Sequence, residues 1–407
     1  MSQLLHLEEP TPARKPAPQW DAFLTMGFRP LYLLGCLWAA LSVALWVFAP
    51  QWLTGRLGGV LWHAHEMLWA FVATIAVGFL LTAAGNWTGR NPLDGKPLAA
   101  LCGLWGLARL GLLVPGTSAF VLGVVCELLF FAGAALAIGR VIYAARSRRN
   151  YGLPILLLGL GLADALFLWS TWQGDYALLM QRFYAGLLCM AVIALLIARR
   201  VIPFFAMRAV AGLQIPMLAG SGSWQLGASC VAIACLLAGW MPGVAAGLGL
   251  AGLLTLLQVV AWQPWAVRKV PLLWILYLGH AALGLGLLVA AAQAVGLVVR
   301  LAWPVHVIGV AGFSVLIIGM VTRTALGHLG RPLRTDASML TAYGLVIAAA
   351  ALRLLALWPS GFSLALLHAS ALVWVLGFGL YLWRFVPMLI RPRVDHPGPG
   401  AMRIRRA

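Results

Sequence analysis

Charge is what this sequence has least of, and negative charge least of all. Charged residues make up 9% of its 407 positions, with 10 Asp or Glu against 28 Lys or Arg. So few ionisable side chains cannot cover the surface of a soluble core of this size. Cysteine patterning is absent as well: Cys36, Cys102, Cys126, Cys189, Cys230 and Cys235 include no C-x-x-C pair and no C-x-x-C-H haem attachment sequence. They read as small packing residues, and the spacing excludes a haem attached through the usual C-x-x-C-H thioether links. No P-loop, dinucleotide fingerprint or nucleophile elbow occurs in a suitable context. Gly-x-Gly patterns such as Gly159 to Gly161 sit inside apolar runs, where they serve packing and not phosphate binding. The first 20 residues carry Pro10, Pro12, Pro16 and Pro18 and lack the apolar stretch of a cleavable signal, so residues 1–20 read as a disordered cytoplasmic tail.

What is present is apolar sequence in long runs. Hydrophobic residues reach 63%, in stretches of about 20 that are too long and too unalternating for barrel strands. Backbone groups in hydrocarbon must pair internally, which makes each run a helix. The fold class is therefore all-α: a polytopic membrane protein of 12 transmembrane helices whose first partner is the lipid bilayer. The expected spans are 30–49, 60–83, 98–114, 118–143, 153–172, 178–198, 222–240, 243–263, 272–294, 301–322, 338–357 and 362–390. The formal charge of +18 does not point to nucleic acid, because the basic residues alternate between connecting loops. Arg90 and Lys96, Arg146 to Arg149, Arg199 to Arg208, Arg268 and Lys269, and Arg323 to Arg334 fall on one side with both tails. That side is the cytoplasm by the positive-inside rule, with Arg56 and Arg300 the chief exceptions. Residues 391–407 form a second basic tail able to meet anionic headgroups.

The runs repeat. Pro30, Pro154 and Pro271 each open one, and Pro115, Pro242 and Pro359 follow 85, 88 and 88 residues later. The basic helix ends Arg140, Arg268 and Arg384 come a further 25 or 26 residues on. Three pseudo-threefold four-helix units follow: residues 21–150 with helices 1–4, 151–270 with helices 5–8, and 271–390 with helices 9–12. The first and third copies match best. An offset of 241 pairs Trp62 with Trp303, His65 with His306, and Gly78 with Gly319; an offset of 244 pairs Arg109 with Arg353 and Gly133 with Gly377. The middle copy has drifted and carries Phe183 or Tyr184 in the histidine slot.

Ionisable side chains within a bilayer are functional candidates by default, and six of the eight histidines belong to the membrane region. Imidazole suits haem iron and copper and avoids the desolvation cost of a carboxylate. His65 and His306, equivalent in two copies, are the expected axial ligands of a haem b. At 100° per residue His63 and His65 point apart while His63 and Glu66 share a face. His63, Glu66 and His368 are thus candidates for a second metal site, with copper as the candidate ion, and His280 is a further candidate ligand. The alternative is that a histidine beside tryptophan at a helix end belongs to an interfacial aromatic belt. Arg109 and Arg353 are expected at cofactor propionates or helix-end carbonyls. Glu127 and Asp164 are further buried charges, open to a proton path or a salt bridge, and His328 reads as a loop residue.

The run Trp62-His63-Ala64-His65-Glu66-Met67, then Gly78-Phe79-Leu80-Leu81-Thr82 and Asn86-Trp87-Thr88-Gly89-Arg90, closely resembles the NnrS family of bacterial membrane proteins. Phe28-Arg29-Pro30, Arg200-Val201-Ile202-Pro203-Phe204-Phe205 and Gly327-His328-Leu329-Gly330-Arg331-Pro332-Leu333 extend the likeness over nearly the whole chain. The resemblance implies an inner-membrane protein that carries haem and copper and serves the response to nitric oxide, nitrosative stress or denitrification. Nitric oxide or a related small molecule is then the expected ligand, and a quinol or other electron donor the expected partner of any redox turnover. The three quartets also resemble the catalytic subunit of haem-copper oxidases, whose bis-histidine haem lies between the second and tenth helices. The sixth and seventh helices here lack the histidines that hold copper there, which argues against an oxygen-reducing centre. A transporter of metal, haem or a small anion, and a sensor that binds nitric oxide or haem without turnover, are the alternative functions.

Overall fold

The computed structural model describes residues 17–216 and 219–394. Most of the two expected tails, residues 1–16 and 395–407, lies outside the described residues. Among the described residues, twelve helices are long and apolar enough to cross a membrane. They are α1 (Phe28–Phe48), α2 (Gly59–Thr88), α3 (Gly95–Leu113), α4 (Thr117–Ala144), α5 (Gly152–Gln173) and α6 (Tyr176–Ala209). The second half comprises α7 (Ala219–Leu237), α8 (Met241–Ala261), α9 (Pro271–Ala294), α10 (Ala302–His328), α11 (Ala337–Ala356) and α12 (Ser363–Leu389).

The expected spans hold to within a few residues except where helices outrun their apolar stretch. Helix α6 runs on past Arg199 and Arg200 and through Pro203 to Ala209, and α10 carries His328 in its last turn. Hydropathy marks where a chain leaves hydrocarbon, whereas a helix continues into water as long as its hydrogen bonds do. The His328 ring lies 5.5 Å from Phe28, so this expected loop residue packs against the start of α1.

Helix α2 is the most enclosed, with 89% of its apolar stretch buried, and α12 the least, at 28%. Elsewhere the outward faces are leucine and tryptophan, as at Leu136 and Trp383, which suits contact with lipid tails. Since lipid tails are as apolar as leucine, the helices are held by close packing more than by exclusion from water. Helices α3 and α4 cross at Gly111, where a Cβ would meet Gly123 N at 2.6 Å and Ala119 O at 2.7 Å. The two ends of the described chain meet: Gln19 N–H donates to Ile390 O, and the buried Arg29 guanidinium donates to the carbonyls of Leu389 and Arg391. Helix α1 packs along α12, which brings the beginning and the end of the described chain together beside α2.

Candidate functional site

Both central helices change pitch directly after a histidine. In α2 the backbone widens to a π-helix over Glu66–Ala73, next to His65; in α10 it does so over Val307–Ser314, next to His306. Both ends of the second segment stand 241 residues after those of the first. Thr74 Oγ1 donates to Trp69 O and Ser314 Oγ to Gly309 O, each five residues back, which suits the wider turn. The two segments touch each other at the centre of the bundle. Mid-helix π turns are uncommon and recur at functional sites, because they displace the side chains that follow.

On one side of this junction lies a cavity of about 270 Å³ walled by α1, α2, α6, α10, α11 and α12. His63, His306 and Arg353 face it among apolar walls that include Trp46, Phe183 and Trp374. The His306 Nδ1 lies 2.7 Å from Ala302 O. A carbonyl can only accept, so Nδ1 carries the proton and the neutral ring keeps Nε2 as a bare lone pair. The His63 ring stacks on Trp46 at 5.4 Å and 14°, and its Nδ1 is buried without a hydrogen-bond partner. Arg353 lies within electrostatic reach of both imidazoles and forms no ion pair with a carboxylate among the described residues. Two imidazoles with nitrogen to offer and one unpaired cation therefore share an apolar chamber.

On the opposite face of α2 the same stretch of chain builds a dry ionic network. The fully buried His65 places Nδ1 2.8 Å from Glu66 Oε1 and Nε2 3.0 Å from Asp164 Oδ1 in α5. Glu66 Oε2 accepts from Arg109 Nη1 at 2.6 Å and from the Trp38 indole at 2.5 Å. Arg109 also contacts Glu127 in α4. Stacking on Phe167 at 5.9 Å and packing on Trp69 hold the His65 ring in place. The network ties α1, α2, α3, α4 and α5 together through charge-assisted bonds among buried groups.

A family model described as NnrS protein matches residues 22–393. This chain belongs to the NnrS family. No individually curated protein matches it in sequence.

Within this NnrS-family chain the structure brings together a different set of residues from the one expected. His306 faces the cavity, but His65 does not line it, and both of its ring nitrogens meet carboxylates. His63 is the α2 histidine that shares the cavity with His306. Two residues along a helix amount to about 200°, which turns His65 toward α4 and α5 when His63 faces α10. The second-site set of His63, Glu66 and His368 is likewise not assembled. Glu66 is drawn to Arg109 and Trp38, and His368 is exposed and stacks on Phe48 at 5.7 Å. The group of three metal-ligating side chains that converges among the described residues is His65, Glu127 and Asp164. His280 lies apart from the cavity, stacked on Trp262 at 4.9 Å.

Arg109 serves a salt bridge, and Arg353 lines the cavity. The helix-end carbonyl of α11, Leu357 O, is taken by Arg300 instead. Trp46 and Trp38, which set the two histidine environments, gave no sequence signal: Trp46, near the end of α1, reads as an interfacial anchor, and Trp38, at its middle, as an apolar packing residue. Phe183 of α6 also reaches the cavity.

Proposed function

We propose that the cavity is the seat of a non-covalently held haem b, with His306 and His63 as its imidazoles and Arg353 facing an acidic edge such as a propionate. The single observation that carries this reading is the pair of imidazoles from α2 and α10 in one apolar chamber beside an unpaired arginine. The residues fit the group: neutral nitrogen donors, an apolar wall and a cation. A bound haem supplies a redox centre and a position for a diatomic ligand. The chain's own part differs between the two histidines. His306 is the anchored one, because the Ala302 carbonyl fixes its tautomer and ring orientation. His63 is the exchangeable one, held through Nδ1 by nothing and through its face by Trp46 alone.

Family membership favours a bacterial inner-membrane setting and a role in the nitric oxide or nitrosative stress response, by binding or redox processing of nitric oxide or a related molecule. Turnover calls for an electron donor such as a quinol. The purified protein is expected to show a Soret band that His306→Ala abolishes and that His63→Ala keeps but shifts, with faster uptake of nitric oxide. A wild type that takes up no haem, or a His306→Ala protein with an unchanged band, overturns the reading. Consumption of nitric oxide with a reductant separates catalysis from sensing.

One observation favours transport as the second reading. A smaller apolar cavity of about 80 Å³ lies on the other side of the π junction, and Val72 and Phe313 belong to the walls of both. Substrate movement by a haem-free preparation in liposomes tests that path. The three four-helix units, 21–150, 151–270 and 271–390, and the cytoplasmic placing of both chain ends belong to this proposal too. The matching π segments support the first and third units.

A further inference from the structure

The ionic network on the far face of α2 carries more negative charge than its own residues offset. Glu66, Glu127 and Asp164 stand against one guanidinium, Arg109, which leaves two negative charges uncompensated when His65 is neutral. All of these groups are buried, with Glu127 1% and Asp164 0% exposed, and isolated charge in such a medium is strongly disfavoured. Two carboxylate oxygens, Glu127 Oε1 and Asp164 Oδ2, have no hydrogen-bond partner at all. One ring nitrogen of His65, one oxygen of Glu127 and one of Asp164 lie within 4.8 Å of one another. None of the three lines the histidine cavity.

We infer that His65, Glu127 and Asp164 form a binding site for a divalent cation of the zinc, manganese or ferrous class, between α2, α4 and α5. A divalent ion neutralises the network: its two charges and that of Arg109 balance the three carboxylates. It takes the place of the proton at His65 Nε2, the nitrogen that meets Asp164. His65 Nδ1–H then donates to Glu66, the carboxylate–histidine–metal arrangement that fixes the tautomer of a ligating ring. Glu66 is in turn held by Arg109 and Trp38, so the outer partner is itself oriented. Small inward movements of the Glu127 and Asp164 side chains bring three donors to about 2.1 Å from a common point. One imidazole and two carboxylates, with no thiolate or thioether, suit borderline or hard divalent ions and select against cuprous copper.

The test is equilibrium dialysis of the detergent-purified full chain against Zn²⁺ and, separately, Mn²⁺, followed by metal analysis. The wild type is expected to retain one equivalent, Asp164→Asn and Glu127→Gln to lose it, and Glu66→Gln to bind about 10- to 100-fold more weakly. Because the carboxylate variants can fail to fold, the wild type alone supplies a second measurement. Its thermal midpoint rises with added Zn²⁺ or Mn²⁺, as binding to the native state requires. A folded wild type that retains neither ion and shows no shift, or one equivalent that persists in both carboxylate variants, overturns the inference.

Discussion

His65 and His306 occupy the same place in the 241-residue register, and each precedes a π-helical segment of the same length, yet one is locked and the other open. The difference lies in what the neighbouring positions supply. At His65 the next residue is Glu66, and Glu127 and Asp164 come in from α4 and α5. At His306 the next residue is Val307, and the position 244 after Glu127 is Ala371, whose small side chain helps wall the cavity. The arginines repeat the contrast: Arg109 is clamped between carboxylates, and Arg353 looks into open space. The two stretches share a register and a pitch change, and the acids at Glu66, Glu127 and Asp164 fill the surroundings of one histidine with charge where Val307 and Ala371 leave a chamber beside the other.

Removing the guanidinium on each side is the most forceful way to break this comparison. Arg109→Ala leaves buried carboxylates unpaired and should cost about 3–5 kcal/mol, whereas Arg353→Ala should cost less than about 1 kcal/mol and weaken haem retention instead. Thermal unfolding of the two variants in detergent reads this directly, and equal losses would end the distinction between locked and open sites. A smaller effect probes how the locked side is held. A Cβ at Gly186 would lie 2.5 Å from the Trp69 ring, which packs on His65. Gly186→Ala should therefore destabilise by about 1–3 kcal/mol through overpacking, measured as a lowered unfolding midpoint.

The smallest effect serves as a control outside the membrane-spanning segments. Partial burial pushes the Asp336 carboxyl up, but hydrogen bonds from Ser338, Arg384 and the Met339 N–H outweigh this and hold it below the usual carboxylate range. A depressed folded value means that the contribution is complete above about pH 4, the ordinary aspartate value, and is lost as pH falls through the folded one. Asp336→Asn keeps the cap on α11 and forfeits a half-exposed ion pair, so a loss under about 1 kcal/mol is expected that vanishes in acid. A pH series of unfolding midpoints checks it.

Much of the frame was legible because hydropathy and length report directly on a bilayer. Helices α1 and α9, for example, begin and end within two residues of the expected spans. Spacing alone also separated the faces of His63 and His65. It did not say which face met a cavity, because that depends on whether a neighbouring helix presents Glu127 or Ala371, and those positions are remote in the chain. The partners of Glu66 were hidden for the same reason: its i+3 relation to His63 is real, but Arg109 and Trp38 come from other helices.

The sequence by itself determined that this is a twelve-helix membrane protein, with histidine, glycine and arginine recurring at constant offsets of 241 and 244 residues. Apolar length, the need of buried backbone for internal hydrogen bonds, and internal repetition are all properties of the chain read in order. Only the tertiary structure decided that His63, and not His65, shares a chamber with His306, and that three acids and one arginine close around His65. Which charge meets which across a dry interior depends on distance between helices, and that distance is set by packing.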